Sequence, residues 1–281
     1  MFILFLERGA IMQFFFDHLV WFFKKPEKAI SPLKERGLHV VKGGRHESWG
    51  TYNTLTYFGL SYIEFLGIEN LSIAEKNDEN RLITQIVEQL AKENQEGPAK
   101  VAIRTNQIEE LAIKLKTEGL TVFGPLTGER VRADGQVIRW SLLFPEYAGK
   151  KVSLPFFIQW EKSNEERYSE LEEQGVIGSH MVGQPKLESV GFVVDDLDKT
   201  LEIWSKLFVL KLGEEYIDTE LNARCRSLKL NRTNLLFFTP IGDGPAAKVL
   251  KEKGETPILV DLIDTNQNHF FEMLDGYWRF R

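Results

Sequence analysis

Short runs of alternating apolar and polar residues recur along the chain, separated by stretches with helical spacing. The first run covers residues 14–23, where Asp17 and His18 interrupt an otherwise apolar segment. Alternation along a strand places Phe16, His18, Val20 and Phe22 on one face. Pro26 opens a helix, a favoured first-turn position, and Gly37 closes it as a C-cap. Residues 38–41 then read as a strand and 42–50 as a Gly-rich connection. Residues 51–58 and 61–68 read as a hairpin turning at Gly59-Leu60. Thr51, Asn53, Leu55 and Tyr57 share a face on one arm, and Tyr62, Glu64 and Leu66 on the other. A helix is predicted over residues 78–94, with Leu82, Ile83, Ile86 and Leu90 on one side.

The same order returns downstream. Gly37-Leu38-His39-Val40 recurs as Gly119-Leu120-Thr121-Val122 after a second amphipathic helix. This second unit has strand 101–105, helix 107–118, strand 121–123, a turn at 132–135, and strands 137–144 and 155–160. On its last strand Phe157, Gln159 and Glu161 share a face. An acidic, Gly-containing segment at 163–186 reads as a linker. A third unit follows, with strand 188–194, helix 197–208 and strands near 213–217, 224–229 and 234–239. Residues 257–263 and 266–274 look like the β-α start of a fourth unit that stops early. Internal repetition decides the fold class before any single residue does. The chain is expected to be α+β, built of repeated βαβββ units that form curled mixed sheets around a cleft. The expected divisions are an N-terminal extension at 1–12, a two-unit domain at 13–162, the linker, and a partial second domain at 187–281.

Composition narrows the function classes. The net charge of −6 argues against nucleic acid or an anionic membrane as partner. The single cysteine, Cys225, precludes an internal disulfide and a cysteine-cluster metal site, and it reads as a small buried hydrophobe. Nothing suggests an oxidising compartment, so a cytoplasmic location is expected. The apolar start at residues 1–6 is too short to span a bilayer and has neither a basic flank nor a cleavage site. Met12 is the expected natural start. The run at 251–255 reads as a solvated charged surface.

Candidate chemistry lies on the inward faces. His18 and Glu64 sit among apolar neighbours, where a carboxylate is costly without a cation or hydrogen bonds. Either they contact a metal or substrate, or they form a buried hydrogen-bonded pair. His46 lies in the Gly-rich connection, as a fourth ligand, a general base or a loop histidine without a role. Thr51 and Asn53 either orient a ligand or satisfy a strand edge. Arg139 suits a carboxylate, and Trp140 either lines the pocket or fills the core.

Three stretches of the first unit, Asp17-His18-Leu19-Val20, Gly44-Arg45-His46-Glu47-Ser48-Trp49-Gly50-Thr51-Tyr52-Asn53 and Tyr62-Ile63-Glu64-Phe65, resemble bacterial glyoxalase-like domain proteins. Arg130-Val131-Arg132-Ala133-Asp134-Gly135, Ile138-Arg139-Trp140 and the run from Leu154 to Trp160 extend the likeness, which covers residues 13–162. These proteins belong to the vicinal oxygen chelate superfamily, with glyoxalase I and the extradiol dioxygenases. The resemblance implies a curled sheet around a pocket that often holds a divalent metal, with ligands from the first and fourth strands of both units. Here that set is His18, Glu64 and Gln159; the first strand of the second unit, near Ala99 or Lys100, offers no ligand. Zn, Mn, Ni or Fe are all compatible with nitrogen and oxygen donors. The leading expectation is a metal-dependent lyase, isomerase or dioxygenase acting on a small oxygenated substrate, with His46 or Glu161 moving a proton. The alternative is a metal-free protein that sequesters a small molecule. A third reading makes residues 187–281 an interface. A homodimer is expected from the superfamily alone.

Overall fold

The run at 14–23 becomes strand β1 (Phe14–Phe22), and the rest of the first half adds seven more strands. These are β2 (Val41–His46), β3 (Thr51–Phe58), β4 (Ser61–Ile68), β5 (Gly97–Thr105), β6 (Thr121–Val131), β7 (Val137–Glu146) and β8 (Phe156–Trp160). The computed structural model describes residues 12–93, 95–131, 137–147 and 153–281. Residues 1–11 of the N-terminal extension and the turn expected at 132–135 therefore lie outside the described residues.

Eight strands form one mixed sheet in the order β2-β3-β4-β1-β5-β8-β7-β6. β1 pairs parallel with β4, and β5 pairs parallel with β8. β1 and β5 meet antiparallel at the centre. The two repeats are thus joined back to back through their first strands. The second half builds another seven-stranded sheet from β9 (Gly183–Val193), β10 (Lys211–Asp218), β11 (Ala223–Lys229), β12 (Asn234–Pro240), β13 (Thr256–Thr265), β14 (His269–Met273) and β15 (Gly276–Phe280). Its order is β10-β11-β12-β9-β13-β15-β14. The third unit is complete, while the fourth has neither helix nor its outermost strand.

Some local expectations shift. The segment expected to start a helix at 266–274 is largely β14, joined to β15 through Leu274 and Asp275. Both of these residues have positive φ, 58° and 63°, the backbone of a tight hairpin turn whose twist matches its strands. The charge run at 251–255 overlaps the end of an unforeseen helix, Pro245–Lys253. The second strand runs from Val41 to His46 rather than over 38–41.

Both sheets contribute to one apolar core. Leu19, Trp21, Ile63 and Phe65 of the first meet Phe192, Phe237, Val260 and Trp278 of the second. The helices Ile108–Thr117 and Leu197–Phe208 add Leu111, Leu115, Leu201 and Trp204. The Trp21 and Trp278 rings stack at 5.7 Å, and the Trp21 indole N–H donates to the Leu274 carbonyl at 2.8 Å. Gly276 makes this contact feasible, since a Cβ there would lie 2.5 Å from the Trp21 ring.

The opposite faces of the two sheets differ. On the second sheet, the helix Pro245–Lys253 seats Ala246 and Val249 against Val193, Leu236, Phe238 and Leu259. Cys225 is buried in this cluster, as expected. Beside it Arg279 donates to Asp218 at 2.7 Å and to Glu220 at 2.6 Å, and lies 3.6 Å from Asp261. On the first sheet, the helical segments Arg81–Ile86 and Val87–Lys92 cover part of the face with Leu82, Ile83, Ile86 and Leu90. The remainder of that face is a pocket.

Candidate functional site

A β-bulge creates the site's polar floor. In the β1–β5 pairing Phe16 faces Ile103 and His18 faces Ala102, so Asp17 is the extra residue. A bulge bends its strand and re-aims side chains. Here it sends Phe16 into the shared core and turns His18 toward the pocket. The simple alternation that put Phe16 and His18 on one face therefore fails at this position.

Asp17 is fully buried and accepts from three donors: His18 Nδ1 at 2.8 Å, Arg104 Nη1 at 2.9 Å and Trp160 Nε1 at 3.0 Å. Burial alone would raise its pKa. The His18 hydrogen bond and the charges of Arg104 and Arg167 outweigh burial and hold the carboxyl well below the usual carboxylate range. An ionised carboxylate only accepts, so the His18 proton sits on Nδ1. Nε2 of His18 is then directed to Glu64, 3.5 Å from its Oε2. The other Glu64 oxygen accepts from Asn53 Nδ2 at 2.5 Å, and Asn53 Oδ1 accepts from the Gly44 N–H at 2.9 Å. Both His18 and Glu64 are thus held from behind.

The walls are largely aromatic. Tyr62 stacks on His18 at 4.6 Å, and Tyr57 stacks on Tyr62 at 4.6 Å. Burial pushes the Tyr57 phenol up to about 12, and both phenols stay protonated at neutral pH. Trp49, Trp140, Trp160 and Phe156 complete a cleft that is partly open to solvent. His46 is buried at the end of β2, with Nδ1 3.1 Å from Thr51 Oγ1. Burial is the main reason its pKa falls to about 4, while the Glu64 charge acts the other way. His46 is therefore a neutral imidazole at pH 7.

His18, Glu64, His46, Thr51, Asn53 and Trp140 converge on this one pocket. Three of the residues singled out from the sequence do not reach it. Gln159 points to the other face of β8, where its Oε1 accepts from the Ile108 N–H at 2.8 Å at the start of the helix Ile108–Thr117. Phe156, Ile158 and Trp160 hold the pocket side of that strand. Glu161 is exposed and pairs with Arg139 at 3.8 Å, and Arg139 also pairs with Glu129 at 3.4 Å. Gln159 is accordingly removed from the metal set, Glu161 from the proton-moving set and Arg139 from the pocket lining. Tyr62 and Arg130 line the pocket and Asp17 supports it through His18, although none of the three was singled out from the sequence as a site residue. The signal for Asp17 was an acidic residue beside a histidine inside an apolar strand.

A profile described as a glyoxalase-like domain matches residues 16–208. The chain belongs to the glyoxalase-like domain family. Solved structures share the fold of this glyoxalase-like protein. A hypothetical protein from Staphylococcus aureus matches with a TM-score of 0.76 and 24% identity, over 96% of this chain and 99% of that one. A mutant 4-hydroxymandelate synthase from Streptomyces coelicolor matches with a TM-score of 0.54 and 13% identity, over 88% of this chain and 70% of that one. A methylmalonyl-CoA epimerase from Streptomyces coelicolor matches 52% of this chain and 97% of its own, at a TM-score of 0.40 and 16% identity. No curated protein matches the chain. Among the described residues no helix of this glyoxalase-like protein is long and apolar enough to cross a membrane.

Proposed function

We propose that the pocket is the active site of a vicinal oxygen chelate enzyme that binds a small oxygenated substrate at the His18–Glu64 pair with the help of a divalent cation. The observation that carries this reading is the 3.5 Å gap between His18 Nε2 and Glu64 Oε2. It is long for an N–H···O hydrogen bond. It fits two donors on one ion, since ligands about 2.1 Å from a tetrahedral centre lie roughly 3.4 Å apart. The Asp17–His18 hydrogen bond behind the pair is the kind of support that orients a ligating imidazole. Among the described residues no three His, Cys, Asp or Glu side chains stand together as a ready metal site. His18 and Glu64 would therefore hold the ion, with substrate oxygens and water completing its shell.

A cation so held would act as a Lewis acid on a substrate oxygen. The chain's own groups do the rest. Asp17 keeps the His18 tautomer fixed. Asn53 keeps one Glu64 oxygen occupied, so the other stays aimed at the pocket. His46, neutral and anchored at Nδ1 by Thr51, presents Nε2 as a proton acceptor. The aromatic walls exclude water from the reacting end.

The test is metal titration with Zn, Mn, Ni and Fe, followed by elemental analysis and thermal melting. Uptake near one equivalent with a rise in melting temperature is expected for the wild type. Loss of both in His18→Ala and in Glu64→Ala is expected. Equal uptake by the variants would remove the pair from any metal site. A second reading, metal-free sequestration of a small molecule, is favoured by the aromatic lining and by the set of only two donors. Ligand binding unaffected by chelator, with no specific metal uptake, would select it.

A further inference from the structure

The pocket does not end at the His18–Glu64 pair. Tyr57, Arg130, Ile138 and Trp160 line both it and an adjoining groove, whose further wall is Arg139, Lys162, Arg167, Glu170 and Leu171. The charges in this groove are unevenly satisfied. Arg139 is paired with Glu129 and Glu161. Lys162 is paired with Glu170. Arg167 is buried, stacks on Trp160 at 4.0 Å and shares Asp17 with Arg104 from 3.9 Å. Its Nη1 has no hydrogen-bond partner. One carboxylate thus serves two guanidiniums. Arg130, by contrast, has no carboxylate partner among the described residues.

Arg130 is also positioned. Edge strands β2 and β6 approach each other where its side chain lies flat on Gly44. A Cβ at Gly44 would fall 2.5 Å from Arg130 Nη1 and 2.6 Å from its Cδ. Glycine leaves a slot there, and the slot holds the guanidinium at the junction of pocket and groove. Burying surplus cationic charge is costly unless an anion arrives to match it.

We propose that this junction is an anion subsite: the substrate is a small acid with an apolar or aromatic body, whose carboxylate or phosphate binds Arg130 while its oxygenated end lies at His18 and Glu64. The proposal rests on the reading of the pocket as a small-molecule site. A planar guanidinium matches either oxyanion in bidentate fashion. The Arg167 charge beneath Trp160 adds attraction without contact, and the aromatic walls suit the apolar body.

The experiment is a tryptophan-fluorescence and calorimetric titration with phenylacetate, phenylphosphonate and neutral phenylacetamide. At least one of the two acids is expected to bind about tenfold or more tighter than the amide. The preferred acid identifies the oxyanion. Arg130→Gln and Gly44→Ala should abolish that preference. Arg130→Lys should keep part of it, and Arg139→Gln should keep all of it. His18→Ala tests the other end separately: anion preference should survive there even if metal uptake never occurs. Equal binding of acids and amide, no binding of any of the three, or an undiminished preference in Arg130→Gln would overturn the proposal.

Discussion

His46 shows how one buried group makes the site sensitive to pH. Its pKa falls from 6.5 to about 4 because burial penalises the imidazolium. In the unfolded chain it titrates at the ordinary value. Between these values the unfolded state binds the proton and the folded state does not, so stability is lost as pH falls from about 6.5 to about 4 and is flat above. The integrated loss is roughly 3 kcal/mol. Urea unfolding across this range, without metal, should show it, and His46→Gln should flatten the slope. An unchanged slope would mean that other groups set it. The depressed pKa of Asp17 acts in the same direction but only below about 3.8, its ordinary value, so the two windows separate.

At the scale of elements, Gln159 is a helix-start acceptor supplied from a neighbouring strand. Gln159→Ala should cost about 1 kcal/mol in stability, as loss of a helix N-cap does, with no change in metal uptake or ligand affinity. A lost metal site in this variant would restore Gln159 to the ligand set. The paired hairpins, the helices after Pro26 and Gln107 and the order of units were legible, because period-two and helical spacing survive without tertiary knowledge. His18 and Glu64 were legible as inward polar residues. The bulge at Asp17 was not, because one inserted residue reverses facing and leaves no compositional mark. The helix Pro245–Lys253 was hidden by its charged end, and β14 by its polar start. Arg139 and Glu161 were misplaced because an exposed pair on neighbouring strands looks, in one dimension, like two pocket residues.

At the scale of the whole molecule, the halves are not independent. Trp21 of the first sheet is locked by Trp278, Leu274 and Gly276 of the second. The helix Ile108–Thr117 of the first half also reaches the helix Leu197–Phe208 of the second, where Lys114 Nζ donates to the Leu207 carbonyl at 2.9 Å. A chain ending at residue 182 would expose that face, including Leu19, Ile63 and Phe65. It should lose cooperative thermal unfolding by circular dichroism; a sharp transition in this fragment would show that the first half folds alone.

The filled face of the second sheet also bears on how binding should be counted. A duplicated architecture invites the expectation of two equivalents of ligand per chain. The Pro245–Lys253 helix and the Arg279 cluster occupy the second sheet's corresponding face. Calorimetry should therefore saturate at one equivalent with a hyperbolic, non-cooperative isotherm per chain. The repeat has become a division of labour: one copy keeps an opening, and the other has turned the same surface into ballast.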